Sequence, residues 1–502
     1  MRSGIEGVQF MGVRDVGVLQ HGLMMVTFFL LFFVGSRAYL KGKGGSSSKT
    51  KNRRLGGPGQ YFLGPIMNVL ALSNTKTTIK VLERWCRAYG PVFRVNFGPK
   101  SVIFLNSPEY LQVLFMSRSG LCGRMGSLFP RERNGDVAGN CWTSTCSPYK
   151  TLLSYMRIFN DESNQIVHTL EKNDSREGVD VTSLLSGAIL NSITKATVGK
   201  SIENCESKEP GDVGIAELVH RVKEVNTKRI LSPWLLYEPI WRFHPLSKIG
   251  DFLVNMTMKQ LSFALSPSKQ KGNNVSLKED LLGAGVPVEG IMEETSTLLS
   301  AGYETTECAL QFLLFMLALH PHHQEKCREE IDSVFVDPFD DDLQYRDLSK
   351  LKHLEMCVFE TLRLFPIVFL IIRKPKTPIR LADDLEIPAG TEIALFMPGV
   401  HKNPEIYPNP EEFRPERFSP EESQHRHTYA YIPFSAGSRK CIGFKFAIME
   451  LMCVTAKLLR HFVISTTDKL EDVVILPYIT LSLEKPINFG FEKRIPSSKP
   501  QH

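Results

Sequence analysis

The sequence has no pair of cysteines in a Cys-x-x-Cys arrangement, although its 502 residues include ten cysteines. Zinc ribbons and thioredoxin-like redox sites therefore have no support. Its formal net charge is only +6, which is small for a chain of this length and does not argue for nucleic-acid binding, since that function needs concentrated basic patches. The cysteines follow no repeating spacing, and such scattered cysteines are typical of a reducing compartment in which most thiols are buried.

The sequence shows no internal repeat and no excess of charged residues. Hydrophobic residues make up 42% of the chain and charged residues 23%, and these proportions exclude wholesale disorder. A chain of 502 residues is also long enough to bury a large core. We therefore expect a globular protein.

One long apolar run occurs near the N-terminus, where Leu23–Val34 reads LMMVTFFLLFFV. The weaker run from Val16 extends it to about the 20 residues that span a bilayer. No small-x-small cleavage site follows. Instead the basic stretch KGKGGSSSKTKNRR follows, which keeps the rest of the chain in the cytosol by the positive-inside rule. We predict a signal anchor in the endoplasmic reticulum membrane, and a cleaved signal peptide is the alternative.

The remaining chain is predicted to contain one large domain. The predicted divisions are an anchor over 1–40, a basic linker and Pro/Gly hinge over 41–64, the domain over 65–492 and a polar tail over 493–502. Leu55–Ile66 is too rich in proline and glycine to favour a helix or strand. Apolar spacing predicts mostly helices in the domain, the longest over Met292–Pro321, and short strands at VFRVNF, SVIFLN and 378–397. The predicted fold class is mainly α with small β-sheets.

Cys441 lies in the segment PFSAGSRKCIG, just before an apolar run with helical spacing. A thiolate that binds a haem iron must be deprotonated, shielded from water and supplied with backbone N–H donors. The glycines let the backbone curl round the sulfur, and the following helix directs the positive end of its dipole at it. An ordinary buried thiol is the alternative. Five positions together favour the interpretation of Cys441 as an iron ligand: Phe434, Gly437, Arg439, Cys441 and Gly443.

These five positions resemble the haem-binding signature of the cytochrome P450 family. In ETLR, Glu360 and Arg363 stand one helical turn apart and, with Arg417 in FRPERF, resemble the Glu-Arg-Arg network of that family. Arg373 in LIIRKP resembles the arginine that binds a haem propionate, and Arg439 is a second candidate for that role. The resemblance covers roughly residues 55–489 and implies the cytochrome P450 fold.

The predicted helix Met292–Pro321 contains AGYETTE, residues 301–307. A carboxylate and a hydroxyl inside an apolar helix can deliver protons where bulk water is excluded, and Glu304 with Thr305 resemble the acid–alcohol pair of the family. Packing of a β-branched side chain is the alternative interpretation of Thr305. We interpret Gly302 as leaving room for O2 and substrate above the porphyrin.

The longer stretch EETSTLLSAGYETT resembles the family 4 clan, particularly its insect-type members. Many vertebrate members of that clan have a glutamate just before the glycine that forms an ester to the haem. This chain has Ala301 at that position, and an alanine has no carboxylate. The resemblance therefore implies non-covalently bound haem b, and it does not carry terminal-carbon hydroxylation of fatty acids over to this chain.

Arg131–Lys150, which reads RERNGDVAGNCWTSTCSPYK, departs from the family pattern. The family has a Trp-x-x-x-Arg helix whose two named residues hold haem propionates, whereas here Trp142 is followed four residues later by Cys146. The stretch has no helical apolar period, although the sequence on both sides of it resembles the family. We interpret it as a reading-frame or splice error, which sequencing the transcript would test. As written, it implies weakened haem retention.

The resemblance implies a membrane-bound haem-thiolate monooxygenase that inserts one oxygen atom of O2 into a small lipophilic substrate such as a fatty acid, a terpenoid or hormone, or a xenobiotic. It implies an NADPH-dependent flavoprotein reductase as electron donor. Candidate contacts for that reductase are Arg439, Lys440 and Lys445. Candidate pocket residues are Phe115, Phe129 and Ile367–Leu370.

Two alternatives to the monooxygenase remain. A haem-thiolate isomerase or dehydratase would need no reductase, but such family members usually lack the acid–threonine pair that this chain has. A catalytically impaired or non-catalytic haem-binding protein is the second alternative, and the unusual Arg131–Lys150 stretch favours it.

Overall fold

A computed structural model describes residues 55–58, 64–97, 100–116, 121–122, 149–172, 178–205, 213–232, 235, 238–265, 276–335 and 342–494. The predicted anchor over 1–40 and most of the predicted linker lie outside these residues. Among the residues that the structure describes, no helix is both long enough and apolar enough to cross a bilayer.

The described residues are mainly helical, as the apolar spacing predicts. The α-helices run over Gly64–Ser73 (α1), Thr75–Tyr89 (α2), Pro108–Met116 (α3), Tyr149–Lys172 (α4), Thr182–Val198 (α5), Ile215–Leu231 (α6), Glu238–Phe243 (α7), Pro245–Leu265 (α8), Leu277–Gly283 (α9), Val288–Leu319 (α10), Pro321–Val334 (α11), Lys352–Leu364 (α12), Met397–His401 (α13), Pro420–Ser423 (α14) and Phe444–His461 (α15). Short 3-10 helices run over Ile202–Asn204, Tyr345–Lys350, Pro415–Phe418, Thr428–Ala430 and Gly437–Arg439.

The strands form small sheets, which confirms the predicted fold class. They run over Val92–Phe97 (β1), Lys100–Leu105 (β2), Leu121–Cys122 (β3), Val179–Asp180 (β4), Leu370–Pro375 (β5), Ile379–Ala382 (β6), Leu385–Ile387 (β7), Glu392–Phe396 (β8), Phe462–Thr466 (β9), Ile475–Pro477 (β10), Leu481–Leu483 (β11) and Asn488–Lys493 (β12). In the described part of the chain, one sheet has the order β1-β2-β8-β5-β3 and another β4-β12-β9, with β6-β7 and β10-β11 as separate pairs. Only the β2-β8 pair is parallel among these.

Helix α10 runs through the core. All its residues from Cys308 to Ala318 are buried, because apolar side chains occupy every side of this part of the helix. It packs against α5, α8, α12 and α15, and each fully buried leucine or phenylalanine contributes about 1.5–3 kcal/mol of stabilisation. The long helix is thus confirmed, although it begins at Val288 and ends at Leu319. Pro321 starts α11 instead, where a missing N–H is tolerated.

The prediction for Leu55–Ile66 is wrong at its end, because α1 begins at Gly64 and includes Pro65 and Ile66. Proline in the first turn of a helix loses no backbone hydrogen bond, since the first N–H groups have no partner within the helix. Gly57 lies close to the sheet: a Cβ added there would come within 1.8 Å of the carbonyl oxygen of Arg94 in β1. The glycine therefore permits a close approach of two backbones.

Candidate active site

Cys441 lies in the short connection between the 3-10 helix Gly437–Arg439 and helix α15. Its backbone N–H donates to the carbonyl oxygen of Phe434 at 2.8 Å, which closes the loop around the cysteine. Gly437 has a φ of +70°, and a Cβ added there would lie 3.2 Å from the backbone oxygen of Phe115. Glycine at this position thus serves both the turn and the close contact with α3. The loop presents its thiol just ahead of the N-terminus of a helix.

The surroundings of the Cys441 sulfur act on its pKa in opposite directions. The residue is exposed on one side, but the protein packed round the sulfur on its other sides removes water and raises the pKa of the thiol. The backbone N–H of Gly443 and the positive charge of Lys440 lower that pKa. A bound cation is what would convert such a sulfur fully to the thiolate.

Aromatic contacts brace the loop against α15. The rings of Phe434 and Phe444 meet edge to face with centroids 4.9 Å apart. The Nζ atom of Lys440 lies 4.4 Å from the centroid of the Phe444 ring, so this predicted reductase contact also makes a cation–π interaction. Arg439 and Lys445, the other two predicted contacts, are exposed.

Two arginines lie beside the cysteine loop. Arg373 on β5 is buried and donates through Nη2 to Ser435 Oγ at 3.2 Å, while its Nε has no hydrogen-bond partner among the described residues. Burial, and then the neighbouring positive charge of Arg439, lowers the pKa of Arg373. An unpaired buried donor next to a second cation fits an anionic ligand such as a carboxylate.

Helix α10 has a fully buried stretch from Cys308 to Ala318, and the turn before that stretch is partly exposed. Ala301 is exposed, and one turn later the hydroxyl of Thr305 donates to the Ala301 carbonyl oxygen at 2.7 Å. Such a side-chain bond to the backbone competes with the regular helical hydrogen bond and can be exchanged for a bond to a ligand. Thr306, its neighbour, is buried. Thr305 is therefore the threonine available to a bound molecule.

The structure gives Gly302 a packing role. A Cβ added to Gly302 would lie 3.0 Å from the side chain of Ile193 in α5, so the missing side chain allows two helices to pack closely. The exposed position next to it is Ala301. That Gly302 also leaves room for O2 and substrate stays a prediction.

Glu304 forms an ion pair that sequence reasoning missed. Its carboxylate lies 2.5 Å from the Nζ atom of Lys223 on α6, with both side chains largely buried. Lys223 also donates to Ser482 Oγ on β11 at 2.9 Å. The lysine thus ties the acid of the predicted pair to another helix and to a strand. No local signal marks Lys223, because 81 residues separate it from Glu304 in sequence and only tertiary packing brings them together.

A second carboxylate, Glu307, lies next to this ion pair. Burial raises its pKa to about 7, against the lowering effects of Lys223 and of a hydrogen bond from Gln311. A carboxyl with a pKa near neutrality can both take up and release a proton under physiological conditions. Glu307 is the last residue of AGYETTE. The motif thus contains both acids, although the family resemblance indicates only Glu304.

The predicted Glu-Arg-Arg residues lie together in the core. Arg363 makes a two-point bond to Glu360, with Nε and Nη2 at 2.7 and 2.8 Å from the carboxylate oxygens and both side chains fully buried. The Nε atom of buried Arg417 lies 3.4 Å from Glu360 Oε1. Arg363 also donates to the carbonyl oxygens of His401 and Pro410. The network thus ties α12 to the long loop that precedes the cysteine segment.

The predicted pocket residues have different surroundings. Phe115 stacks on Tyr429 with centroids 5.8 Å apart and contacts Gly437, so it supports the cysteine loop. The carbonyl oxygen of Ile367 accepts a hydrogen bond from Leu481 N at 2.8 Å, which places the 367–370 segment against β11. Phe129, Trp142 and Cys146 lie outside the described residues, as does the Arg131–Lys150 stretch up to residue 148.

The described residues fit an iron porphyrin. One thiol on a loop at a helix N-terminus can ligate the iron, and the unpaired Nε of Arg373 beside Arg439 can bind a propionate. The face of α10 that contains exposed Ala301 and half-buried Thr305 is available to a reactant. Phe434, Gly437 and Gly443 shape the thiol loop.

Several known proteins are similar in sequence to this chain. A sequence model described as Cytochrome P450 matches residues 140–491, so the end of the Arg131–Lys150 stretch falls within the match. Cytochrome P450 4V2 of Homo sapiens is 31% identical over 418 residues, which cover 76% of this chain and 78% of that protein. Probable cytochrome P450 4p3 of Drosophila melanogaster is 32% identical over 370 residues, covering 69% and 71%. Cytochrome P450 4c21 of Blattella germanica is 27% identical over 478 residues, covering 88% and 93%.

Proposed function

The chain belongs to the cytochrome P450 family and is a haem-dependent monooxygenase, and we propose that it hydroxylates a small lipophilic substrate at a membrane with electrons from NADPH. The overall reaction is RH + O2 + two electrons + two protons giving ROH and water. The observation that carries the site assignment is the Cys441 loop next to buried Arg373, whose Nε has no hydrogen-bond partner among the described residues. An NADPH-dependent flavoprotein reductase is the proposed electron donor.

Cys441, Arg373 and Arg439 are the residues proposed to hold the cofactor. The haem would supply the activation of O2 and the transfer of one oxygen atom to the substrate. Cys441 would donate electron density as a thiolate, and the two arginines would bind propionates. Ala301 has no carboxylate to form an ester, so acidified organic solvent should extract the haem from the purified protein. A haem that stays attached after denaturation would show that another residue links it.

The functional test combines purified full-length protein, NADPH and a flavoprotein reductase. A screen of fatty acids, terpenoids and xenobiotics for shifts of the haem spectrum identifies a substrate, and product is then measured with and without the reductase. We expect hydroxylated product only in the complete mixture. Product formation that needs neither NADPH nor reductase would favour an isomerase or dehydratase.

Thr305 and Glu304 are proposed to supply protons. The Thr305 hydroxyl lies on the exposed face of α10 and exchanges its bond to Ala301 for one to a reactant. Glu304 stands next to it in sequence and is held by Lys223, and Glu307 adds a carboxyl whose pKa is about 7. Together these groups form a route by which protons can reach Thr305 from the side of α6 without bulk water.

We expect Thr305→Ala to uncouple the reaction. Without the hydroxyl, no positioned group delivers protons to the oxygen site. NADPH use therefore continues while hydrogen peroxide rises and product falls by about 100-fold, the lower end of what a positioned proton donor contributes. Thr306→Ala is the matched control, since Thr306 is the same residue type one position on but is buried. Equal coupling in both variants would remove Thr305 from the mechanism.

Glu304→Gln should slow turnover rather than uncouple it. The amide cannot give up a proton, so we expect kcat to fall about 100-fold with a larger solvent isotope effect and little change in KM, because Glu304 contacts Lys223 and not the exposed face. Lys223→Met removes the ion pair but keeps the acid, and it should lower kcat less. A Glu304→Gln enzyme with normal kcat would show that another group supplies the proton.

The domain is proposed to bind the cytosolic surface of a membrane. Besides the predicted 1–40 anchor, Phe243 at the end of α7 is 89% exposed and Phe252 on α8 is 56% exposed, which suits insertion into a lipid surface.

Protease added to intact microsomes should digest the domain. Removal of the first 40 or so residues should weaken membrane binding, and Phe243→Glu with Phe252→Glu should release the truncated protein. Met116→Glu, at an exposed apolar residue of α3, is the control. Full protection from protease would place the domain in the lumen.

A further inference from the structure

Helices α11 and α12 carry the same pair of residue types at the same spacing. His323 and Cys327 stand four residues apart on α11, and His353 and Cys357 stand four residues apart on α12. Residues four apart lie on one face of a helix. Since α11 packs against α12, the two faces meet, and all four side chains are buried. Nothing in the proposed monooxygenase mechanism uses them.

The thiols and imidazoles contact one another across the helix interface. The Sγ atoms of Cys327 and Cys357 are 3.8 Å apart, and the Nδ1 atom of His323 is 3.1 Å from Nε2 of His353. Ligand atoms of Cys327, His353 and Cys357 all lie within 4.8 Å of one another, and so do those of His323, His353 and Glu416. His353 therefore belongs to two clusters of potential metal ligands. One contains the two cysteines, and the other contains His323 and Glu416.

We propose that Cys327, Cys357 and His353 bind one Zn²⁺ ion that joins α11 to α12. Tetrahedral zinc with bonds of about 2.3 Å to two thiolates holds their sulfurs about 3.8 Å apart, which is the spacing of these two cysteines. Two sulfurs and one imidazole are the donors that zinc prefers. Three protein ligands leave the fourth tetrahedral position to a water molecule.

The charges of the proposed site balance, which matters because it is buried. Zinc binding forms two Zn–S bonds and one Zn–N bond and releases the two thiol protons to solvent, with no transfer of electrons. Two thiolates and a neutral imidazole then cancel the charge of the cation, so no uncompensated charge is buried.

The surrounding residues fix the orientation of the histidine ligand. Nε2 of His353 lies 3.1 Å from Nδ1 of His323, so the proposal assigns the other ring nitrogen of His353, Nδ1, to the metal. The same Nδ1 atom of His323 lies 3.9 Å from the carboxylate of Glu416. His323 thus contacts the second ring nitrogen of His353, a position that a carboxylate, a backbone carbonyl or a water occupies at most metal-bound histidines. Glu416 belongs to the 3-10 helix Pro415–Phe418 that also contains Arg417. The ion would thus stabilise the region of the Glu360 network and take no part in oxygen chemistry.

The test uses the full-length, haem-loaded protein purified without chelators, incubated with zinc chloride and dialysed. We expect one zinc per chain in addition to the haem iron, with two sulfur ligands at about 2.3 Å in the zinc X-ray absorption spectrum. Cys357→Ser should lower zinc affinity by more than 100-fold and His323→Ala by about 10- to 100-fold. Cys453→Ser, at a buried thiol on α15 outside the cluster, should leave zinc binding unchanged.

Three results would overturn the proposal, and each is measured on the natural protein, so none depends on a variant that folds. The first is retention of no zinc. The second is zinc bound only through nitrogen and oxygen, which is an adventitious surface ion. The third is a Cys327–Cys357 disulfide, found by mass spectrometry after alkylation without reductant.

Discussion

Replacing Cys441 with serine is expected to abolish monooxygenase activity. Serine is a poor iron ligand, and the loop contains no second thiol, so the electron donation that favours O–O cleavage is lost. Loss of residues that merely orient a metal ligand costs about 10- to 100-fold, and loss of the ligand itself should exceed that range. The reduced carbon monoxide complex should also lose the red-shifted Soret band of thiolate ligation.

Cys308→Ser is the control for this experiment. Cys308 lies on α10 and is buried, with its Sγ 2.8 Å from the Leu481 carbonyl oxygen, so it is a thiol of the core and not of the loop. We expect this variant to keep the red-shifted band. If Cys441→Ser kept the band and Cys308→Ser lost it, the ligand would be misassigned.

Glu360→Gln is expected to cost the largest amount of stability of any single change proposed for this chain. It removes the buried carboxylate that Arg363 and Arg417 share. Among the described residues, Arg417 then keeps only the exposed carboxylate of Glu412 at 3.9 Å. Removing one partner of a buried ion pair destabilises proteins by about 3–5 kcal/mol. The free energy of unfolding in denaturant should fall by that amount, and the yield of haem-loaded protein should fall with it.

The matched control is Glu422→Gln. Glu422 pairs with Arg414 in the same region, with an Nη2–Oε2 distance of 2.7 Å, but both side chains are more than one-third exposed. Exposed pairs contribute about 0–1 kcal/mol, so this variant should unfold almost as the natural protein does. Equal losses in the two variants would mean that burial does not set the importance of the Glu360 network.

Periodic segments of the fold could be predicted from sequence because their own residues determine them. VFRVNF and SVIFLN form β1 and β2, which pair antiparallel from Val92 with Leu105 to Phe97 with Lys100. The apolar composition of α10 likewise predicted a long buried helix. The start of α1 was missed because proline and glycine discourage a helix in its interior but not in its first turn.

In the candidate site too, residues marked by their sequence neighbours could be predicted, and residues brought together by tertiary packing could not. Cys441 stands out because the glycines and cations that surround it are its neighbours in sequence. Lys223 and the proposed zinc ligands could not be predicted in this way. Lys223 reaches Glu304 from another helix, and the two His-x-x-x-Cys pairs are 30 residues apart in sequence. For Gly302, the facing residue Ile193 decides its role, and helix contacts of that kind are set by packing.

The carbon monoxide difference spectrum of the purified, reduced full-length protein tests the central claim most directly, because it reports the iron ligand without requiring a substrate. If Cys441 ligates a haem iron as a thiolate, the carbon monoxide complex should show the red-shifted Soret maximum that is typical of thiolate ligation. A haem-loaded protein whose Soret maximum matches that of a histidine-ligated haem, or a folded protein that binds no haem, would contradict a haem-thiolate monooxygenase.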